Sequence, residues 1–268
     1  MYSIVIGPDW IEFGWLLMRF QAKARWVAQG HERAGRIVIC EKGHEYLYRD
    51  FCDRFHTYKM PGRRDRWLYE GSKPKMPADI KQQYEGALRI IPSEEVCMSN
   101  FDQAIYIPYG TKRDSMNYDL VIHARSLSRY TSGDRNWGEI MWGKFVNELG
   151  PKRVCCIGKK DSASYVPGSE DLRGIPLEQV CDILASSKVC VGTSSGPMHL
   201  ASLCGCPHVV ITGPEKHKSL GGRTNRDRYE KLWNPLKTPV IVVDKYGWRP
   251  KTVTPVVEAV CTLYSTRI

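Results

Sequence analysis

Two short runs carry the residues best suited to chemistry. The first, residues 192–200, reads GTSSGPMHL. Pro197 suits the opening turn of a helix, because its fixed φ is already helical and its missing N–H has no intrahelical bond to lose. The Ser and Gly residues before it are cap and turn formers. Such a turn leaves the backbone N–H groups of Ser195, Gly196 and Met198 at the positive end of a helix dipole, with only small side chains around them, and an anion such as a phosphate fits there. The same residues also suit an ordinary turn of a parallel sheet, with Ser194 as a cap and His199 as a buried helix residue. The second run, residues 7–15, reads GPDWIEFGW and holds two carboxylates, Asp9 and Glu12. A carboxylate in a partly dry cleft can take a proton from a substrate hydroxyl. Either acid could equally do no more than cap the helix that follows.

Periodicity indicates the elements that must hold these groups. Residues 2–7 (YSIVIG) read as a buried strand. Trp15, Leu16, Met18, Phe20, Ala22, Trp26 and Val27 then recur at helical spacing up to Gly30, and residues 36–40 (RIVIC) form a second strand. This βαβ opening predicts a doubly wound sheet, in which ligands gather at the carboxyl ends of the strands, where Asp9 and Glu12 fall. Residues 43–55 look helical. The next stretch is polar and rich in Arg, Pro and aromatic residues, and reads as an irregular surface excursion. There Arg63, Arg64 and Trp67 could hold a phosphate backbone or stack a base. Residues 80–92 read as a helix or a strand, and residues 102–110 as an apolar strand. The aperiodic polar segment 111–119 marks a boundary, giving an N-terminal domain over 1–115 and a C-terminal domain over 116–268.

The second half restarts the pattern. A buried strand (DLVIHARS) carries Arg125, and a helix is predicted over 137–149 from the stripe Trp137, Ile140, Met141, Phe145, Val146 and Leu149. A strand ending in Gly158, the helix PLEQVCDILASS, the strand 189–191, the helix opening at Pro197 and the strand 208–212 follow. The loop after Pro214 is strongly basic and includes Arg223 and Arg226. A last strand over 239–243 and a helix over 254–264 complete the chain, and that helix is expected to cross back and brace the first domain. The order is that of a second doubly wound domain.

Composition narrows the classes. With 42% hydrophobic and 25% charged residues among 268, the chain is globular and large enough for two cores. No run approaches 18 apolar residues and no signal peptide opens the chain, so neither a membrane span nor secretion is expected. Ten cysteines lie mostly in apolar elements without a CxxC pair, which suits reduced thiols in the cytoplasm and predicts no structural metal. Residues 120–268 carry 21 Lys+Arg against 13 Asp+Glu, most of the net charge of +10. That half should hold an anionic ligand, either a nucleotide diphosphate or nucleic acid.

The run GTSSGPMHLASLCGCPHVVITGP resembles the donor-site segment of the ADP-heptose heptosyltransferase family, whose members show Asp, then Ser or Thr, Gly, Pro, Met, His, Leu, Ala. LVIHARS followed by DRNW, and DLRGIPLEQVCDILASSKVCVG, resemble the elements before that signature. GPDWIEFGWLLMRFQ resembles the opening of related glycosyltransferases. The resemblance implies a GT-B fold, with two Rossmann-like doubly wound domains facing across a cleft. The N-terminal domain would bind the acceptor and the C-terminal domain the nucleotide sugar. It places Ser195, Gly196 and His199 at donor contacts near the diphosphate and sugar, Arg135 at a Lys that contacts donor phosphate or ribose, and Ile175 near the base. It places Glu12, or else Asp9, near the acidic general base. The usual Asp of the signature is Ser194 here, which alters a sugar contact.

The expected activity is metal-independent transfer of a sugar from a nucleotide-diphosphate sugar to an acceptor hydroxyl, with no cofactor. Glu12 or Asp9 would act as base. Arg125, Arg135, Gly158, Ile175, Ser194, Ser195, Gly196, Met198 and His199 would form the donor site. The acceptor is a saccharide or other small molecule, or a hydroxylated base in DNA held by Arg63, Arg64, Trp67, Arg223 and Arg226. Two other readings are a nucleotide-sugar epimerase of the same fold and a non-catalytic basic nucleic-acid-binding protein on a GT-B scaffold. The oligomeric state is left open.

Overall fold

The structure, a computed structural model, describes residues 2–59, 78–92, 101–126, 135–217 and 222–265. It divides into two compact units, Met1–Tyr106 and Ile107–Ile268. The division falls ahead of the polar segment 111–119. Bonds from the Tyr109 N–H to the Leu203 carbonyl and from the Thr111 N–H to the Asp182 carboxylate Oδ1 tie that segment to the second unit.

In the first unit, β1 (Ser3–Ile6), β2 (Gly35–Glu41), β3 (Arg54–Tyr58) and β4 (Leu88–Ile90) form a parallel sheet of order β3-β2-β1-β4. Between β1 and β2 run α1 (Phe13–Trp15), a π-helical turn (Leu16–Phe20) and α2 (Gln21–Gln29). Their apolar face, with Leu16, Leu17, Met18, Phe20, Ala22, Ala24 and Ala28, is buried. The chain builds outwards from β1 through β2 to β3, then returns to place β4 on the other side of β1. The topological switch point, where such sheets bind ligands, therefore lies between β1 and β4.

Three expectations for this unit are corrected. Residues 43–55 form no long helix: they hold a single 3₁₀ turn (Glu45–Leu47) and enter β3. The sequence hides β3 because it is an edge strand with mostly exposed, polar residues, so it lacks apolar alternation. Residues 80–92 resolve into both elements, α3 (Ala78–Gln83) and β4. Residues 104–110 join no strand ladder; the Ile105 N–H bonds instead to the Ala22 carbonyl. Arg63, Arg64 and Trp67 lie outside the described residues.

The second unit contains a six-stranded parallel sheet of order β12-β9-β8-β5-β6-β7. Its strands are β5 (Leu120–His123), β6 (Val154–Cys156), β7 (Glu170–Asp171), β8 (Val189–Thr193), β9 (His208–Ile211) and β12 (Val240–Val243). The basic loop after Pro214 contains a small antiparallel pair, β10 (Lys216–His217) and β11 (Arg223–Thr224). Helices α4 (Glu139–Leu149), α5 (Leu177–Ser186), α6 (Gly196–Leu203) and α8 (Thr254–Ser265) pack with the sheet. A short α7 (Asn225–Asp227) runs into a second π-helical turn (Arg228–Leu232). Leu120, Ile122, Val191, Val209 and Ile211 from the sheet share one core with Trp142 and Phe145 of α4 and Val256, Val260 and Leu263 of α8. The apolar face of the last helix is used on its own sheet, and the Tyr264 hydroxyl bonds to the Asp119 carbonyl.

The chain leaves β5 in one direction through β6 to β7, then returns beside β5 as β8 and continues to β9 and β12. The switch point of this sheet lies between β5 and β8. Every described cysteine is a free thiol, and all but Cys261 are buried. Among the described residues no helix is long and apolar enough to cross a membrane.

Candidate functional site

The carboxyl ends of β5 and β8 bring together residues that the sequence singled out separately. His123 ends β5 and Arg125 follows two positions later, while Ser194 and Ser195 follow β8. The Ser195 hydroxyl donates its one proton to the Thr193 carbonyl at 2.8 Å, so the 3.0 Å contact between Ser195 Oγ and His123 Nδ1 is a bond donated by the imidazole. This arrangement is the reverse of an activated serine, because His123 does not accept the hydroxyl proton. Burial, with the Arg125 charge in support, lowers the His123 pKa to about 4, so the ring is neutral at physiological pH. The opposite edge of the ring lies against Gly158. A Cβ at Gly158 would come within 2.7 Å of the Ala163 Cβ and 3.0 Å of His123 Cδ2, and φ there is +125°. Glycine at 158 is therefore required by the close approach of His123. Ile175 is half-buried just before α5.

The helix terminus differs from its expected form. Tyr229, fully buried in the π-helical turn, donates its hydroxyl proton to Ser194 Oγ at 3.0 Å and accepts the Ser195 N–H on the same oxygen. The Met198 N–H bonds to the Ser195 carbonyl at 3.0 Å. Of the three N–H groups expected to be open to an anion, those of Ser195 and Met198 are thus engaged within the protein, while that of Gly196 has no acceptor among the described residues. A phenol fills part of the position that composition alone leaves empty. His199 stacks on Tyr229 with ring centroids 5.0 Å apart and meets Trp233 edge-on at 4.7 Å. Burial, reinforced by His208 and Arg228, lowers the His199 pKa to about 3.

The arginines sort clearly. Arg125 is buried and donates from Nη1 to Asn136 Oδ1 at 3.1 Å. Arg135 lies over the Trp248 ring, 4.5 Å from its centroid. Arg226, read from sequence as a nucleic-acid contact, forms a paired bond to Asp244 at 2.6 and 3.1 Å and also reaches Glu230 and the Val242 carbonyl. Its neighbour Arg223 is exposed on β11. His123, Tyr229 and Arg228 escaped sequence reading as parts of this site. A lone His in a strand, and an aromatic and an Arg inside a basic loop, carry no local signal of convergence.

In the first unit, Asp9 and Glu12 follow β1. Gly7 is obligatory there, since a Cβ at its φ of +98° would land on the Ile39 carbonyl oxygen. Asp9 is fully buried, with Oδ1 accepting from the Glu41 N–H at 2.8 Å and the Tyr58 hydroxyl at 2.7 Å, and Oδ2 facing His44 Nδ1 at 2.8 Å. Its oxygens hold the ends of β2 and β3 in place. Glu12 is half-buried at the N-cap of α1 without a side-chain capping bond.

Comparison with solved structures places this arrangement among known folds. E. coli ADP-heptose LPS heptosyltransferase II matches with a TM-score of 0.62 at 12% identity, over 100% of this chain and 99% of that one. The chain resembles the heptosyltransferases in fold. A glycosyl transferase family 9 protein from Veillonella parvula matches with a TM-score of 0.63 at 10% identity, over 99% of this chain and 97% of that one. E. coli heptosyltransferase WaaC with ADP matches with a TM-score of 0.57 at 13% identity, over 98% of this chain and 100% of that one. No protein-family model and no curated protein sequence matches the chain.

Proposed function

We propose that the protein is a GT-B glycosyltransferase that moves a sugar from a nucleotide-diphosphate sugar to an acceptor hydroxyl. The second unit would bind the donor and the first the acceptor. The observation that carries this reading is the convergence at the β5–β8 switch point of Arg125, the His123–Ser195 pair and the Gly196 N–H. It is supported by the likeness in fold to heptosyltransferases, one of them solved with ADP.

The chemistry follows from where charge develops. As the bond between the anomeric carbon and the diphosphate breaks, negative charge grows on phosphate oxygens, and preorganised guanidinium and N–H groups stabilise it without reorganising. Arg125 and Arg135 take this role in our reading, so no divalent metal is required. Glu12 accepts the proton of the acceptor hydroxyl as the new glycosidic bond forms. Ser194 leaves the sugar pocket without a carboxylate at that position. The engagement of Arg226 with Asp244 takes one contact away from the DNA reading, so a saccharide or other small acceptor is preferred.

The test is a thermal-shift panel of nucleotide-diphosphate sugars, headed by ADP-sugars, followed by nucleotide-release assays with EDTA present. A donor at 100 times its dissociation constant stabilises by about 2.7 kcal/mol. Failure of every donor to stabilise the protein overturns the reading. Turnover lost in EDTA and restored by a divalent ion overturns metal independence alone. Isomerisation of the donor without any acceptor would identify an epimerase.

A further inference from the structure

We propose that Arg228 is an anion-binding residue which, with Arg135, holds the diphosphate of the nucleotide sugar. The identity of the anion rests on the function proposed above; the existence of the site rests on the protein's own geometry.

Arg228 is 6% exposed. Asn225 Oδ1 accepts from Nη1 at 3.2 Å, and the guanidinium lies over Trp233 at 4.7 Å from the ring centroid. Its Nε is buried without a hydrogen-bond partner, and no carboxylate pairs with it among the described residues. A guanidinium carries five N–H donors, and leaving a buried charge without a counter-ion is costly. Burial lowers the Arg228 pKa to about 10, with Arg135 acting in the same direction, so the group is still a cation at neutral pH. Nothing described in the protein neutralises it.

Its position shows which ligand would. The next residue, Tyr229, places its hydroxyl on Ser194 Oγ and on the Ser195 N–H at the start of α6. Arg228 is thus the chain neighbour of the residue that meets that terminus, where the Gly196 N–H keeps no acceptor among the described residues. The charges of Arg135 and Arg228 both act on Tyr229. Each guanidinium is stacked on a tryptophan, Arg135 on Trp248 and Arg228 on Trp233. A guanidinium over a ring face keeps its charge and its in-plane N–H donors, of which Arg228 gives one, from Nη1, to Asn225. Two such donor sets around a backbone N–H match the tetrahedral, multiply charged oxygens of a diphosphate better than a single carboxylate. On this view the phenol of Tyr229 stoppers the helix axis and shifts the anion off it, towards the two arginines.

The test measures binding of inorganic pyrophosphate, a nucleoside diphosphate and the corresponding nucleoside by titration calorimetry, using the full chain. Arg228→Met keeps the bulk over Trp233 and removes the charge; Arg228→Lys keeps the charge. Loss of charged hydrogen bonds should weaken pyrophosphate and nucleoside-diphosphate binding about 10- to 100-fold in Arg228→Met and leave nucleoside binding within about threefold. Arg228→Lys should recover part of the loss, and Arg135→Met should weaken the same two ligands. If Arg228→Met, folded by circular dichroism, binds the diphosphates as the wild type does, the proposal is overturned. If Arg228→Met fails to fold, Arg228→Lys decides: diphosphate binding equal to wild type, with its bidentate geometry lost, counts against a contact. If wild type binds pyrophosphate through Arg228 but no nucleotide, the anion site stands and the glycosyltransferase reading falls.

Discussion

His123 and Ser195 join the two strands that flank the switch point of the larger sheet, with the imidazole donating and the serine hydroxyl accepting at 3.0 Å. The serine proton is fixed on its own strand, at the Thr193 carbonyl. The pair therefore sets the shape of the loop that leads into α6 and acts as a clasp rather than as a nucleophile and base.

His123→Ala should accordingly weaken nucleotide-sugar binding by about 3- to 10-fold, the worth of one lost neutral hydrogen bond with its partner left exposed to rearrangement. His123→Asn, whose amide N–H lies near the Nδ1 position, should restore most of it. Dissociation constants for the three proteins check this; equal values would remove the clasp from donor binding.

Glu12→Gln should lower turnover by about 10²- to 10⁴-fold, the usual contribution of a general base, while donor affinity stays close to wild type. The midpoint of thermal unfolding, measured beside turnover, separates a lost base from a lost fold. Near-normal turnover in this variant would assign the base elsewhere.

Asp9→Ala should behave in the opposite way. It strips the acceptor from the Glu41 N–H and the Tyr58 hydroxyl and the partner from His44 in a fully buried setting. Breaking a buried pair of this kind costs about 3–5 kcal/mol. Urea unfolding should show the loss, and the fraction that remains folded should retain its specific activity.

Acid should weaken the fold from about pH 6.5 downwards, above the ordinary carboxylate range. His123, His199 and His208 are held by burial at pKa values of about 4, 3 and 4, below the ordinary 6.5. Above pH 6.5 both folded and unfolded chains carry these rings neutral, and stability is full. As pH falls through 6.5 the unfolded chain takes up protons that the folded chain refuses, so stability declines until about pH 4, where His123 and His208 begin to protonate in place. Urea midpoints measured from pH 7 to pH 4 should fall steadily. A flat profile over that range would mean that the rings are not buried neutral.

Much of this architecture is legible in the chain because its signals are local. The run GTSSGPMHL announces strand, turn and helix through Pro197 and its small neighbours, and the observed β8 and α6 follow it closely. The helical stripe beginning at Trp137 likewise appears as α4. What escapes is set by tertiary context. Residues 54–58 have the polar face of an edge strand, and residues 104–110 have the apolar composition of a strand but bond across to other elements. Within the loop after Pro214, charge counting treats Arg223, Arg226 and Arg228 alike. The fold exposes the first, pairs the second with Asp244 and buries the third. Tyr229 shows the same limit, because a turn of small residues cannot disclose that a phenol from 35 positions later will close it.

The strand order also bears on how the chain is made. β5 is the first strand of its sheet to be synthesised and lies in its interior, yet Leu120 must wait for Val189 to gain its second neighbour. β6 can cover one edge early, through Leu120 and Val154, but the other edge of the apolar run LVIH stays open while residues through α5 emerge. An uncovered apolar strand edge invites foreign strands. During translation, the segment around Leu120–His123 needs shielding until β8 arrives, which ends that need at the same moment that it sets Ser195 opposite His123.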